Sequence, residues 1–443
     1  MHLHSKIPLI KKDMNQNNKI HVVMVGAGFG GLNAAKILAW YPNISITIID
    51  RRNYHLFQPL LYQVAMAGLS PAEIASPIRS ILSKHKNIDV LLGEVRKVSF
   101  EENLVSGDFG EISYDYLLMA CGSQHSYFGK DEWEEYAPGL KTLEQATEIR
   151  RRVLTAFEKA EREKNPELQK KLLTFVVIGG GPTGVELAGA LAEISGHTLT
   201  KDFHNIDSRN TNIILIEAGD RILSSFVSTL SIKATNDLKK MGVIVLEKTR
   251  VTEVNRNGVA IGNTFIEAET VLWAAGVAPA PINTHLGVPL DPLGRIYVES
   301  DLTIKEHPNV FVIGDQAHCK DNKGQALPGL SPVAIQQGIH VAKNIERKIL
   351  GKATEAFQYF DKGQMATIGR SKAVAQIGSK IRFSGFLAWL TWLFVHIYYL
   401  IGFKNRIFVI TQWIWAYISY GRGARLIVEK EWHITKKNNL KGE

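Results

Sequence analysis

Ile20-His21-Val22-Val23-Met24-Val25-Gly26-Ala27-Gly28-Phe29-Gly30-Gly31-Leu32-Asn33-Ala34-Ala35-Lys36 is the stretch whose reading decides the fold. A run of strand-forming residues meets a glycine turn, and the turn opens a helix. Gly26 permits the tight turn, Gly28 lets a pyrophosphate touch backbone, and Gly31 lets helix and strand pack closely. Gly30 belongs to the same loop. The helix N-terminus then offers free N–H groups and a positive dipole end to phosphate. The next apolar run, Ile44-Ser45-Ile46-Thr47-Ile48-Ile49, ends in Asp50, placed to accept hydrogen bonds from an adenosine ribose, with Arg51 beside it. A lone glycine loop is weak evidence. Strand, loop, helix, strand and acid in order make a dinucleotide-binding fold.

The pattern then repeats. Leu173-Thr174-Phe175-Val176-Val177-Ile178 runs into Gly179-Gly180-Gly181-Pro182-Thr183-Gly184 and a helix beginning at Val185. Gly179, Gly181 and Gly184 take the places of Gly26, Gly28 and Gly31. Glu217 ends the strand Ile213-Ile214-Leu215-Ile216. It follows Gly184 at more than the usual spacing, and the polar stretch His197 to Asn212 reads as an insertion. An acid there repels a 2′-phosphate, so this half favours NAD(H) over NADP(H). Two dinucleotide folds imply two dinucleotides, most economically a bound FAD and a diffusing nicotinamide. A duplicated fold with one dead site is the rival, but neither loop looks broken.

Two further apolar strands end in small-residue turns: Tyr116 to Met119 before Ala120-Cys121-Gly122, and Val271 to Trp273 before Ala274-Ala275-Gly276. Such turns let backbone approach a cofactor, which makes Ala120 and Gly122 candidates for FAD and Ala275 and Gly276 for NADH. Val310 to Ile313 leads into Gly314-Asp315. Asp315 reads either as a helix N-cap or as an acceptor for flavin ribitol hydroxyls, and the two roles are compatible.

The 443 residues leave room for two or three domains. Hydrophobic residues at 45% and charged residues at 21% exclude disorder, collagen and coiled-coil rods. The two cysteines, Cys121 and Cys319, make no disulfide framework and no structural zinc site, so no metal is expected. No cysteine follows the first glycine loop between Asn33 and Trp40, which excludes a redox-disulfide relay at that place.

Net charge is +9, and its location is informative: +7 falls on residues 380–443 and +3 on residues 1–19, leaving −1 for the body. A nucleic-acid-binding domain would spread positive charge over its folded surface, so no nucleic-acid partner is expected. The last 64 residues also hold five of the eight tryptophans, Trp389, Trp392, Trp413, Trp415 and Trp432. Tryptophan with cations marks a membrane interface. Phe383 to Phe403 is a run of 21 uncharged residues, long enough at helical rise to reach about 31 Å. Yet Lys380 and Arg382 precede it, and Lys404 and Arg406 follow it. Cations on both flanks favour two helices lying in one leaflet at about residues 383–421. A single span and a buried partner surface are the alternatives.

The chain resembles the type II, non-proton-pumping NADH:quinone oxidoreductases of the two-dinucleotide-binding flavoprotein superfamily. The resemblance covers about residues 20–430. Its most specific segment is Arg52-Asn53-Tyr54-His55-Leu56-Phe57-Gln58-Pro59-Leu60-Leu61-Tyr62-Gln63-Val64-Ala65, joined by Gly180 to Leu187, Ile313-Gly314-Asp315 and Pro332 to Gly338. It implies FAD in the first fold, NADH in the second, and reduction of a membrane quinone, ubiquinone or menaquinone, in a respiratory chain. It implies that Pro332, Ala334, Gln336 and Gln337 contact the quinone. Many members have Ala-Gln where this chain has Ser331-Pro332, which leaves Gln336 and Gln337 to supply the side-chain amides. A threonine is more usual at Cys121.

Hydride transfer needs positioning more than acid–base help, whereas quinone reduction also needs protons. Glu186, at the start of the second helix, is one candidate proton handler, and fixing its own helix start through dipole and capping is the competing role. The resemblance implies a lysine partner, matched to Lys404, for which a lipid-phosphate contact is the competing role. The expected fold is α/β: two Rossmann-like domains plus a membrane-anchoring C-terminal region. Residues 1–19 form a lead-in, 20–140 and 280–350 the FAD domain, 141–279 the inserted NADH domain, and 351–443 the C-terminal region. The expected location is the cytoplasmic face of a bacterial inner membrane, with a mitochondrial membrane as the alternative and a homodimer left open. The rival functions are a related flavoprotein reductase with another acceptor and a non-enzymatic NADH-sensing membrane protein.

Overall fold

The computed structural model describes residues 19–378, 380–419 and 421–428. The lead-in up to residue 18 and the end of the C-terminal region, including Trp432, lie outside the described residues. The chain divides into two compact units. The first holds the residues up to Leu56, Ala75–His125 and Val277–Lys362. The second holds Phe57–Ile74, Ser126–Gly276 and the residues from Gly363. The division cuts three times inside 20–140, the stretch expected as the first part of the FAD domain, because Phe57–Ile74 and the residues from Ser126 belong to the second unit. The C-terminal region is likewise shared, with 351–362 in the first unit and the rest in the second.

A six-stranded sheet centres the first unit, in the order Thr303–Ile304, His307–Val312, Tyr116–Met119, Ile20–Val25, Ile44–Asp50, Ile88–Leu92. All neighbours are parallel except the outer pair Thr303–Ile304 and His307–Val312. Val22, Val23 and Met24 are fully buried, as a strand covered on both faces requires, so their run is continuously apolar rather than alternating. The helix Phe29–Leu38 packs against the helix Ser331–Ile349. Their approach is closest at Gly30 and Gly338, where a Cβ on Gly338 would stand 2.2 Å from the Gly30 oxygen.

The second unit repeats the scheme with a parallel sheet ordered Val243–Leu246, Asn212–Ile216, Thr174–Ile178, Thr270–Trp273. The helix Pro182–Glu193 follows its central strand. The duplication extends past the glycine loops. In each unit a three-stranded antiparallel ribbon, Val95–Ser113 or Val251–Glu267, precedes the strand that ends in the small-residue turn.

The second unit also carries the tail. Three antiparallel strands, Gln364–Thr367, Ala373–Ile377 and Ile381–Ser384, lead into helices Phe386–Tyr399 and Phe403–Ser419. Ala373, Ala375 and Ala388 form the seat of the first of these helices, with Trp389 packed against them. The uncharged run Phe383–Phe403 is therefore broken: it begins in a strand, and its helix stops at Tyr399. Leu400 turns extended, Gly402 takes φ +92°, and the Arg406 guanidinium donates to the freed oxygens of Tyr398 and Leu400 at 2.8 and 2.7 Å. Fourteen helical residues reach only about 21 Å. No helix among the described residues is long and apolar enough to cross a membrane.

Candidate functional site

Both glycine loops are built alike. Gly26 and Gly179 have φ +102° and +108°, which only glycine adopts at ease. A Cβ on either would meet the backbone of the turn ahead, at Ala120 and Ala274, within 2.5 Å. Gly31 and Gly184 lie under the loops, where a Cβ would stand 1.9 and 1.8 Å from the oxygens of Gly26 and Gly179. These four glycines answer to the protein's own packing. Gly28 and Gly181 do not. Their backbones are extended conformations open to any residue, and a Cβ there would meet nothing within 4 Å. Each is the N-cap of its helix, with no side-chain cap and no acid in the first turn. The N–H groups at both helix starts are therefore left for an anion. Two cradles for a dinucleotide pyrophosphate fit FAD in the first unit and NADH in the second.

The two acids first hold their loops. Asp50 accepts from the Ala27 and Arg52 N–H groups, each at 2.8 Å, and burial raises its carboxyl above the ordinary value. Glu217 accepts from the Gly180 and Gly219 N–H groups, each at 2.6 Å. The remaining lone pairs are those a ribose diol would use. Glu217→Gln removes the charge and keeps the shape. The kcat/KM ratio for NADPH over NADH is expected to rise roughly tenfold, the scale of one screened repulsion. An unchanged ratio in a steady-state comparison would contradict the role of Glu217.

In the first unit, Asp315 accepts from the Ser123 hydroxyl. Gly314 has φ +71°, and its N–H donates to the Gln337 amide oxygen at 2.7 Å. Gln316, fully buried, accepts from the Cys121 N–H at 2.7 Å and donates to Asn283 at 2.6 Å. This amide lattice fixes the Ala120–Gly122 and Gly314–Asp315 turns together, and the sequence reading did not find Gln316 as its centre. Gln336 exchanges two hydrogen bonds with the Phe360 backbone, at 2.9 and 3.0 Å. The structure thus engages both amides expected at the quinone within the first unit. Pro332 sits in the first turn of its helix, and the Ala334 oxygen faces Gly30. Burial pushes the Cys121 thiol up to about 12, so it is protonated and unreactive at neutral pH.

In the second unit, Ala275 and Gly276 lie in the turn that follows the Thr270–Trp273 strand. Glu186 lies in the first turns of the helix Pro182–Glu193. Burial pushes its carboxyl up to about 8, against a Thr367 N–H that donates to it at 3.4 Å. Lys404 is exposed, with its ammonium 5.6 Å from the ring of Phe408 on its own helix. It is not among the groups that act on the Glu186 carboxyl.

A pocket of about 820 Å³, counting its open mouth, lies wholly in this unit. Trp389, Trp392, Trp413 and Tyr417 give it aromatic walls. Its polar lining includes Tyr62, Gln63, Glu193, Thr367 and Arg422. The Tyr62 hydroxyl bonds the Thr367 hydroxyl at 3.1 Å and accepts from the Gln63 amide at 3.1 Å. Arg422 pairs with Glu193 at 2.9 Å and donates to the Met66 oxygen at 2.7 Å. Tyr62 and Gln63 stand in the segment Arg52–Ala65, the most specific of those quoted above. Their meeting with residues 367, 413 and 422 is tertiary and left no local signal.

The pyridine nucleotide-disulphide oxidoreductase family matches residues 20–338, and the NDH2 C-terminal domain matches residues 362–422. A type II NADH:quinone oxidoreductase of Mycobacterium tuberculosis is 43% identical over 426 residues, covering 93% of this chain and 90% of its own. An internal alternative NAD(P)H-ubiquinone oxidoreductase of Arabidopsis thaliana mitochondria is 30% identical, covering 92% and 86%. The solved structure of NDH2 from Plasmodium falciparum in complex with NADH shares the fold, with a TM-score of 0.84 at 20% identity over 93% of this chain and all of that one. The chain is a two-dinucleotide flavoprotein reductase by fold and site. It belongs to the type II NADH:quinone oxidoreductase family.

Proposed function

We propose that the aromatic pocket of the second unit receives the quinone headgroup and that Glu186 holds a proton for its reduction. As a member of its family the chain oxidises NADH and reduces a quinone, with FAD and NADH as cofactors. FAD, when bound, supplies the two-electron carrier between the nicotinamide hydride and the quinone. Overall, NADH, a proton and quinone give NAD⁺ and quinol. The hydride brings two electrons and one proton, and a second proton comes from solution.

The observation that carries this reading is the pocket's link to a protonated acid. Flat aromatic walls suit a flat apolar ring, and the polar groups among them suit carbonyl oxygens. Thr367 lines the pocket with its hydroxyl on Tyr62 and gives its N–H to Glu186. A carboxyl raised to about 8 is mostly protonated at neutral pH, so it can donate. Ala416→Trp fills the pocket from a tail helix. It is expected to lower kcat/KM for a short-chain quinone about 100-fold, by steric exclusion, with NADH binding unchanged. Quinone kinetics equal to wild type would overturn the pocket assignment.

The tail is read as a membrane anchor lying in one leaflet. Phe394, Trp415 and Ile418 are 73%, 63% and 74% exposed, on helices that carry few charges. Burial holds His396 down at about 4, so the helix Phe386–Tyr399 is uncharged throughout at neutral pH. Lys404, exposed at the next helix start, is assigned to lipid phosphate. The double variant Phe394→Asp, Ile418→Asp is expected to weaken association with anionic vesicles at least roughly tenfold, since burying each side chain gains about 1.5–3 kcal/mol. Co-sedimentation at the wild-type level would contradict the anchor. The cytoplasmic face of a bacterial inner membrane offers NADH to such an enzyme and keeps free thiols such as Cys121 and Cys319 reduced.

A further inference from the structure

The indole Nε1–H of Trp392 is buried without a hydrogen-bond partner. Trp392 is 1% exposed and lines the pocket. Its ring is held from several sides. It stacks on His396 at 3.9 Å between centroids, and it lies 5.6 Å from the Trp413 ring and 6.4 Å from Tyr62. The His396 Nδ1 donates to the Trp392 carbonyl oxygen at 2.7 Å, which locks the stacked pair. The ring therefore has little freedom to turn toward another acceptor. Trp413, in the same pocket, shows the contrast, because its Nε1–H donates to the Gln63 amide oxygen at 2.7 Å. Buried donors are almost always paired, since leaving one unmade is costly. A buried donor left unpaired on a residue that lines the pocket is suited to an acceptor that the ligand brings.

We propose that the Trp392 Nε1–H donates a hydrogen bond to one carbonyl oxygen of the quinone headgroup and so selects acceptors that carry a ring carbonyl. The inference rests on the pocket being the quinone site. The stacked His396 fixes the plane of the donor, and Tyr417 and Trp389 flank the space in which a planar ring would lie. Selection then follows from chemistry: an acceptor without a ring carbonyl leaves the indole unpaired and gains nothing from it.

The test uses the detergent-purified, flavin-loaded full chain and a short-chain benzoquinone. Trp392→Phe keeps an aromatic ring and removes the donor. It is expected to raise the quinone KM, and the quinone dissociation constant in equilibrium titration of the oxidised protein, about tenfold. Turnover with ferricyanide, which has no carbonyl, should stay within about twofold of wild type. In the unsubstituted protein, isotope-edited infrared spectra of the bound quinone should show one carbonyl stretch lowered by hydrogen bonding. That band should move back in the variant, a readout that loss of packing alone would not produce. Unchanged quinone affinity in Trp392→Phe, with Ala416→Trp still blocking quinone, would overturn the role of Trp392 and leave the pocket assignment standing. Normal quinone kinetics in both variants would overturn both. If the variant fails to fold, the absence of a lowered carbonyl band in the wild-type protein is sufficient to reject the proposal.

Discussion

Glu186→Gln is expected to slow quinone turnover about 100-fold, within the usual range for a lost general acid, while NADH bleaches the flavin within about twofold of the wild-type rate. The asymmetry follows from what each half-reaction needs. Hydride transfer moves its own proton with its electrons, and an uncharged glutamine preserves the shape of the helix start. Quinone reduction needs protons on oxygen, and glutamine cannot give one. The pH dependence carries the sign. Burial raises the Glu186 carboxyl to about 8, so the donating form is populated below that pH and lost above it. Wild-type quinone turnover should therefore fall as pH rises past about 8, and the Glu186→Gln residue of activity should not show that fall. Equal rates in both half-reactions, or an unaltered alkaline limb, would remove Glu186 from proton handling.

The second large effect separates two glycines that look equivalent in sequence. Gly28→Val is expected to give a folded protein that purifies without its yellow colour, with FAD affinity lowered about 100-fold or more, because the branched side chain occupies the pyrophosphate approach. Gly181→Val should keep the flavin and raise the NADH KM by a similar factor, about 100-fold, for the same steric reason in the other unit. A Cβ at either site has nothing within 4 Å beyond its chain neighbours, so each backbone has room for a side chain to begin. Gly31→Val provides the contrast: its Cβ would stand 1.9 Å from the Gly26 oxygen, so that variant should fail to fold rather than lose a ligand selectively. Flavin content and thermal melting measured together distinguish the cases. A Gly28→Val protein that retains full flavin would contradict the cradle.

Local patterns carried the fold, and long-range meetings carried much of the site. The strand–glycine–helix–acid order was readable twice because each part uses its own chemistry at fixed spacing, and both loops formed as expected. Asp50 and Glu217 were legible for the same reason, though their bonds to Ala27 and Gly180 show that they hold the loops as well. The residues of the pocket were not legible as a set. Tyr62 meets Thr367 across 305 residues, and Trp413 meets Gln63 across 350. No periodicity reports such pairings. The tail was read from composition, which marks an interfacial segment but not where its helix stops. Gly402 and the capping by Arg406 set that end. Gln336 and Gln337 were legible only through the family resemblance. The resemblance implied that they contact the quinone, and within the first unit their amides bond Phe360 and Gly314.

The most direct test of the central claim, electron flow from NADH through the bound flavin to a quinone, is anaerobic mixing of the detergent-purified protein with NADH, then with a short-chain quinone. NADH should bleach the flavin absorbance and added quinone should restore it promptly, with one quinol formed per NADH oxidised. Bleaching without recovery would contradict quinone as the acceptor, and a flavin that NADH does not bleach would contradict the assignment as a whole.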